Sequence, residues 1–420
     1  MDSAQATPEP MLKGLRVLEL ATWVAAPTVG AILAEYGADV THIEDPSRGD
    51  PHRAMVTQTW GKGSSTGQVN ASFQMHNRNK RSLALSLKTE EGREIFRRLI
   101  ETADIFINNL LPDSQKRLKI DYAALGALNP RLIHVTVSGW GSEGPAKQER
   151  GYDFTVFWAA SGIMSLVGDP SGPPTLVRPG MGDRTTALAG TAGLALALYS
   201  REKTGKGQAI EVSLLHTGMF TISSDLQRAV MYGEPGPTYS RNNAPAPLTN
   251  CYQTRDGRWL VINVLTDKDW PGFCGCLGKP ELANDPRFNS PEKRGTNHLE
   301  LIRTVDELFA QHDRAEWEKR LSAAQLTYAP ALLPQEIAKH PQAVANGFFM
   351  DATHDAYGPY QLLKFPIKFS GAEPQFRNQA PGHGEQTKEI LQELGLSQAD
   401  IERLDGEGVI HCPKAPAGKS

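Results

Sequence analysis

The first part of the chain alternates short apolar runs with stretches of helical spacing. Arg16-Val17-Leu18-Glu19-Leu20 is a β-capable run after Gly14, residues 27–36 place apolar positions at helical intervals, and residues 39–44 form a second β-capable run. A strand, a helix and a strand with links this short predict parallel strands joined by a right-handed crossover. The pattern recurs downstream, where residues 90–102 set Ile95, Phe96, Leu99 and Ile100 on one helical face ahead of strands over 104–108 and 132–138. This alternation predicts an α/β, doubly wound, Rossmann-like domain with a parallel sheet.

Residues 187–199 read as a small-residue apolar helix suited to close packing on a sheet. It ends in the charged turn from Ser200 to Gly207, before a strand over 208–215. Residues 233–247, rich in Gly, Pro, Ser and Asn, predict a linker or mobile loop. Asp256-Gly257 introduces a strand over 258–264, and helical segments within 298–321 complete a second, smaller α+β domain. From about Pro341 the chain reads as loop-rich until terminal helices over 385–394 and 398–404. No internal repeat is visible.

A length of 420 residues accommodates two or more domains. Lys+Arg 44 against Asp+Glu 47 removes the broad basic surface that nucleic acid would require. Charged residues make up 22% of the chain, and no apolar run approaches the roughly 20 residues that span a bilayer, so no membrane association is expected. Residues 1–10 lack the basic start and apolar run of a secretory signal and are expected to form a disordered lead-in. The four cysteines, Cys251, Cys274, Cys276 and Cys412, are few, and Cys274-Gly-Cys276 is too tightly spaced for the usual zinc pair. Reduced thiols in the cytoplasm follow. The 11 histidines include no H-E-x-x-H grouping, and no metal is expected.

Glu44 ends the second strand where a ribose-binding acid sits in dinucleotide folds, yet the turn Ala21-Thr22-Trp23-Val24-Ala25-Ala26-Pro27 lacks the glycines that let a pyrophosphate approach. That argues against NAD or FAD, and no Walker-type phosphate loop occurs. The G-x-S-x-G string Gly63-Ser64-Ser65-Thr66-Gly67 lies in a polar loop with no apolar strand before it, so it does not form a nucleophile elbow. Gly180-Met181-Gly182-Asp183-Arg184 is the most suggestive segment, with flexible glycines around an acid just ahead of the apolar helix. Two readings are open. Asp183 is either an N-cap or a functional carboxylate that the helix N-terminus keeps ionised at neutral pH. The basic groups Arg48, Arg53, Asn77-Arg78-Asn79-Lys80-Arg81 and Lys116-Arg117 are either solvated surface charge or, together, a docking surface for a phosphorylated cofactor. Phe73 and Met75 fit an apolar slot or the core equally.

Several of these strings in order resemble the family III CoA-transferases, a group that includes formyl-CoA, carnitine-CoA and aryl-CoA transferases and the related 2-methylacyl-CoA racemases. The resemblance spans nearly the whole chain. It rests on residues 15–20 with Ala25-Ala26-Pro27, Tyr36-Gly37-Ala38-Asp39-Val40, residues 77–83, Ala103-Asp104-Ile105 leading to Asn109, Ser138-Gly139-Trp140-Gly141, Gly151-Tyr152-Asp153, Gly182-Asp183 and residues 201–208. It implies Asp183 as a nucleophile that forms aspartyl anhydride and aspartyl-CoA thioester intermediates, with Asp153 nearby and Gly182 as an oxyanion donor. Ala25, Phe73, Met75, Asn109, Leu110 and Arg117 fall on CoA-contact positions, with Arg48 or Arg53 for the phosphates. Coenzyme A is thereby implied as part of acyl-CoA substrate and product, with a carboxylic acid as the second substrate.

The resemblance also implies an interlocked homodimer and a division into residues 11–222, a small domain over 223–322, a linker over 323–345 and a return to the large domain over 346–420. Three departures matter. Val24 replaces a glutamine, Asn242-Asn243-Ala244-Pro245-Ala246-Pro247 replaces a flexible tetraglycine, and Tyr152 replaces the histidine of the racemases. The last argues against α-proton exchange. A racemase or isomerase of the same fold and a non-catalytic CoA-binding subunit of a heteromer are the alternatives. Trp23, Tyr152 and Trp158 hint at an apolar or aromatic acyl group, or belong to the core.

Overall fold

A computed structural model of the chain describes residues 9–54, 70–234 and 236–413. The Gly63 to Gly67 string and most of the lead-in lie outside the described residues. The chain divides into two compact units, one of residues 1–163, 177–226 and 347–420, the other of residues 164–176 and 227–346.

The first unit is built on β1 (Arg16–Leu20), β2 (Asp39–Glu44), β3 (Arg81–Leu85), β4 (Ile105–Asn108), β5 (Ile133–Ser138) and β6 (Ala209–Ser213). They pair in parallel in the order β3-β2-β1-β4-β5-β6. This is the Rossmann order, in which the crevice for ligands opens where connections leave in opposite directions, beyond the C-terminal ends of β1 and β4. Successive residues of β1 serve opposite faces, Val17 in one core cluster and Leu18 in the other. With both faces covered, the central strands are buried almost throughout.

One face is packed by α1 (Ala25–Glu35) and by the long helix that precedes β6. α2 (Ala71–Asn77) leads into β3, and helices later in the chain pack the other face. On that second face lie α3 (Glu90–Glu101), then α4 (Pro112–Leu118) and α5 (Tyr122–Leu128) along the chain, with Ile95, Phe96, Ile100 and Leu125 in its core. Thr89 starts α3 by accepting the Gly92 N–H at 3.1 Å, and Glu90 and Glu91 complement its positive end. The long helix is α6 (Met181–Thr204), which starts six residues before the span that its apolar pattern predicts. A Cβ on its Gly190 would crowd Val29 Cγ2 at 3.3 Å, so glycine eases the approach of α6 to α1.

In the second unit β7 (Thr249–Gln253), β8 (Trp259–Asn263) and β9 (Tyr328–Pro330) form an antiparallel sheet. Its core includes Tyr252, Phe273 and Trp317, the last stacked on Phe309 at 4.5 Å between centroids. Residues 323–345, expected as a linker, therefore carry a strand of this sheet.

The C-terminal return is not loop throughout. β10 (Phe349–His354) and β11 (Gly358–Leu363) make a hairpin, helices over Thr387–Glu393 and Gln398–Gly406 pack on the second face of the large sheet, and β12 (Ile410–His411) pairs antiparallel with β3. Tyr36 Oη donates to the Ile367 carbonyl at 2.6 Å, and Arg377 reaches the Ala34 carbonyl at 2.8 Å, which fastens this segment to α1. Among the described residues no helix is long and apolar enough to cross a membrane.

Candidate active site

Gly180 caps α6 with a left-handed backbone at φ 95°, so Asp183 lies third in the helix and is not its N-cap. This decides against the capping role. The Asp183 N–H donates to Asp153 Oδ2 at 2.9 Å. Asp153 is buried at the start of a π-helical segment, Asp153–Ala160, whose Phe157 ring lies against Gly182. A Cβ at position 182 would fall 2.1 Å from that ring, so only glycine permits the approach of the two segments.

Both carboxylates are pushed up from the ordinary range. Burial raises the pKa of Asp153, and hydrogen bonds, including the Asp183 N–H, offset it only in part. Burial also raises Asp183, the negative charge of Asp153 raises it further, and Arg184 opposes both; the outcome is a pKa pushed up to about 7. The expectation that the helix N-terminus keeps Asp183 ionised is not met, because desolvation and the like charge of Asp153 outweigh it, and the N–H of Asp183 itself donates to Asp153.

Asp183 and Asp153 line a cavity of about 1250 Å³ that opens at the C-terminal ends of β1 and β4. The volume exceeds the roughly 300–1,000 Å³ of small-molecule pockets, in keeping with a ligand as long as a CoA ester. Of the expected site residues, Val24, Ala25, Asn109, Leu110 and Tyr152 also line it. Asn109 ties the rim together, since its Oδ1 accepts the Thr22 N–H at 3.2 Å and its Nδ2 donates to the Thr22 carbonyl at 2.8 Å. Arg117 is exposed on α4 and bonds Ser114 Oγ at 3.2 Å, and Ser114 is on the lining. Arg48 is exposed beside the lining residues Gly49 and Asp50.

Three expected residues point elsewhere. Arg53 grips both oxygens of Glu44 at 2.7 Å and the Pro381 carbonyl at 2.7 Å, and it lies over the Phe73 ring at 4.3 Å. Its charge is spent inside the fold. Phe73 is 4% exposed under that guanidinium. Met75 packs in the small cluster of Ile32, Tyr36 and Phe365, and its Sδ accepts from Arg78 at 3.1 Å. None of the three lines the cavity.

Sequence reasoning passed over Asp50 and His52 as site residues, and it gave Trp23 no backbone role. All three line the cavity. Trp23 has φ 71°, and its ring meets Tyr152 edge-on at 6.2 Å. Behind the wall lies a buried charge network: Lys80 Nζ contacts Glu19 Oε1 at 2.7 Å, and His42 Nδ1 contacts the same oxygen at 2.7 Å. No group of three or more possible metal ligands occurs among the described residues.

Residues 12–387 match the family described as CoA-transferase family III, and the chain belongs to that family. It is an enzyme of the transferase class, and its relatives are CoA-transferases. It is 31% identical over 402 residues to (R)-2-hydroxy-4-methylpentanoate CoA-transferase of Clostridioides difficile, covering 95% of this chain and 99% of the relative. It is 30% identical to cinnamoyl-CoA:phenyllactate CoA-transferase of Clostridium sporogenes, covering 94% of this chain and 96% of the relative. Among solved structures it is similar to a CAIB/BAIF family protein from Brucella suis, with a TM-score of 0.81, 31% identity and coverage of 91% and 99% of the two chains.

Proposed function

We propose that the protein moves CoA from an acyl-CoA donor to a carboxylic acid through covalent intermediates on Asp183. The observation that carries this reading is a carboxylate in the wall of a CoA-sized cavity whose pKa burial and Asp153 push up to about 7. A more basic carboxylate is a better nucleophile in its ionised form, and desolvation removes water that would otherwise blunt it. Asp183 attacks the thioester carbonyl, the C–S bond breaks, and CoA thiolate leaves a mixed anhydride. The thiolate then attacks the aspartyl carbonyl, releasing the donor acid and forming aspartyl-CoA thioester. The acceptor carboxylate displaces the thiolate to give a second anhydride, and the thiolate attacks its acyl carbonyl to release product and regenerate Asp183. No proton is gained or lost overall.

Asp153 holds the first turn of α6 in place for these steps through its bond to the Asp183 N–H. The cavity lining of Ala25, Asn109 and Leu110 supports CoA contact there, and exposed Arg117 and Arg48, next to lining residues, are the cations we assign to its phosphates. Leu196, Tyr199 and Phe220 are 72%, 66% and 74% exposed, apolar area that a partner chain of an interlocked homodimer would cover. The four free cysteines fit a reducing cytoplasm.

The test is incubation with acyl-CoA donors followed by borohydride or hydroxylamine trapping and peptide mass spectrometry. An acyl or CoA adduct on the peptide bearing Asp183 is expected, absent from Asp183→Asn. Full turnover by that variant would overturn the reading. The isomerase alternative would instead place solvent deuterium at the α-carbon of recovered acyl-CoA.

A further inference from the structure

We propose that Asp50 and His52 are positioning residues that clamp Trp23 in a left-handed backbone conformation, so that its indole packs against the apolar body of the donor's acyl group and sets the enzyme's preference for acyl size. The inference rests on Asp183 being the group that receives the acyl chain.

The argument starts from Trp23's backbone. A φ of 71° is unusual for any residue but glycine, asparagine or aspartate, and a bulky aromatic there costs on the order of 1–2 kcal/mol. Such a conformation persists only where its surroundings over-determine it. Both backbone polar groups of Trp23 are gripped by buried side chains. Its N–H donates to Asp50 Oδ1 at 3.2 Å, and its carbonyl lies 3.0 Å from His52 Nδ1. Asp50 and His52 are 1% and 2% exposed.

The clamp is itself braced. Asp50 Oδ1 also accepts the His52 N–H at 2.9 Å, and the Asp50 N–H donates to Glu44 Oε2 at 2.9 Å. Glu44 is anchored by Arg53 and by Ser82 Oγ at 2.6 Å. A carbonyl at Nδ1 requires a proton there, which leaves Nε2 of a neutral ring to accept from Ser72 Oγ at 3.0 Å. Burial lowers the pKa of His52 and so favours that neutral form, although Asp50 opposes it. His52 therefore has one arrangement that satisfies both ring nitrogens.

The consequence reaches the reacting end of the cavity. Trp23's ring stands at 89° to that of Tyr152. Tyr152 precedes Asp153, whose carboxylate holds the Asp183 N–H at 2.9 Å. A residue of ordinary φ at position 23 would send the indole in another direction and open this wall.

The test combines a double-mutant cycle with a structure. His52→Phe keeps ring volume and removes both bonds, and Trp23→Gly removes the indole at a position where glycine is unstrained. The rate of CoA-adduct formation on Asp183 is read by intact mass spectrometry with acetyl-, isovaleryl- and phenylacetyl-CoA, which needs no acceptor acid. Each variant is expected to lose about threefold with acetyl-CoA and about thirtyfold with phenylacetyl-CoA, in line with the worth of apolar pocket contacts. In the Trp23→Gly background His52→Phe is expected to add nothing, since both act through one side chain. Losses that multiply, losses independent of acyl size, or faster reaction of Trp23→Gly with the larger donors would overturn the proposal. A crystal structure of His52→Phe is expected to show residue 23 away from φ 71° with its ring parted from Tyr152, and an unchanged loop would also overturn it. Should His52→Phe not fold, Asp50→Ala, which removes the oxygen that accepts the Trp23 N–H, is carried through the same cycle and structure. If the wild type forms no adduct with any donor, the Asp183 reading has failed, and the crystal structure alone decides the clamp.

Discussion

Two carboxylates in the same unit, Glu44 buried and Asp183 half-buried, are driven in opposite directions. Glu44, like Asp183, suffers a burial that raises its pKa, yet His42, Arg53 and Ser82 more than offset it and bring it down to about 2. Asp183 has a second carboxylate for a neighbour and Arg184 as its opposing cation, and it is pushed up to about 7. Burial therefore does not determine the charge state; the partners supplied to the buried group do. One site spends its cations on holding strands and loops together, and the other leaves a carboxylate unstable enough to react.

Removing the nucleophile breaks this contrast most completely. Asp183→Asn is expected to lower turnover by about 10³-fold or more, measured as CoA transfer at saturating donor. The same variant reports on stability. The folded chain holds the Asp183 proton more tightly than the unfolded chain, so the group adds stability below the ordinary carboxylate range and loses it as pH rises toward about 7. Thermal melts should therefore show Asp183→Asn gaining on the wild type as pH rises from about 4 to about 8.

On the other side of the comparison, Arg53→Ala leaves Glu44 buried without its bidentate partner and should cost about 3 kcal/mol, read as a lower urea midpoint with an unchanged slope. Glu44's lowered pKa has the opposite sign from that of Asp183. Its contribution is present above the ordinary carboxylate range and disappears as pH falls toward about 2, so Glu44→Gln should flatten the acid limb of the stability profile.

Packing between the two carboxylate-bearing segments gives a smaller effect. Gly182→Ala drives a methyl into the Phe157 ring and should cost about 2 kcal/mol, with partial recovery in Gly182→Ala/Phe157→Leu, measured by thermal denaturation. Smallest of all is the electrostatic adjustment. Asp153→Asn removes the like charge beside Asp183 and should move the rising limb of the kcat/KM profile to lower pH, the expected direction if Asp183 must ionise to react.

Much of the large domain was legible along the chain because its strands are short apolar runs between amphipathic helices. β1, β2, β4 and β5 lie within one residue of their predicted spans. The start of α6 was not, since Met181-Gly182-Asp183-Arg184 shows no helical period and includes a poor helix former; Gly180's left-handed cap and the bond to Asp153 begin the helix there. The hairpin of β10 and β11 was missed because strands with mixed burial carry little alternation. Arg53 read as a phosphate ligand because a lone arginine after a strand does not reveal that an acid nine residues back will claim it.

The order of strands and helices, the glycines flanking Asp183 and the family resemblance are properties of the amino-acid sequence alone. The charge state of Asp183, the inward turn of Arg53 and the backbone of Trp23 were decided only in three dimensions. Each depends on a partner far along the chain, Asp153 for Asp183, the Pro381 carbonyl beside nearby Glu44 for Arg53, and Asp50 with His52 for Trp23. Desolvation and hydrogen bonding act over a few ångströms of space, and no local pattern encodes which distant group will arrive there.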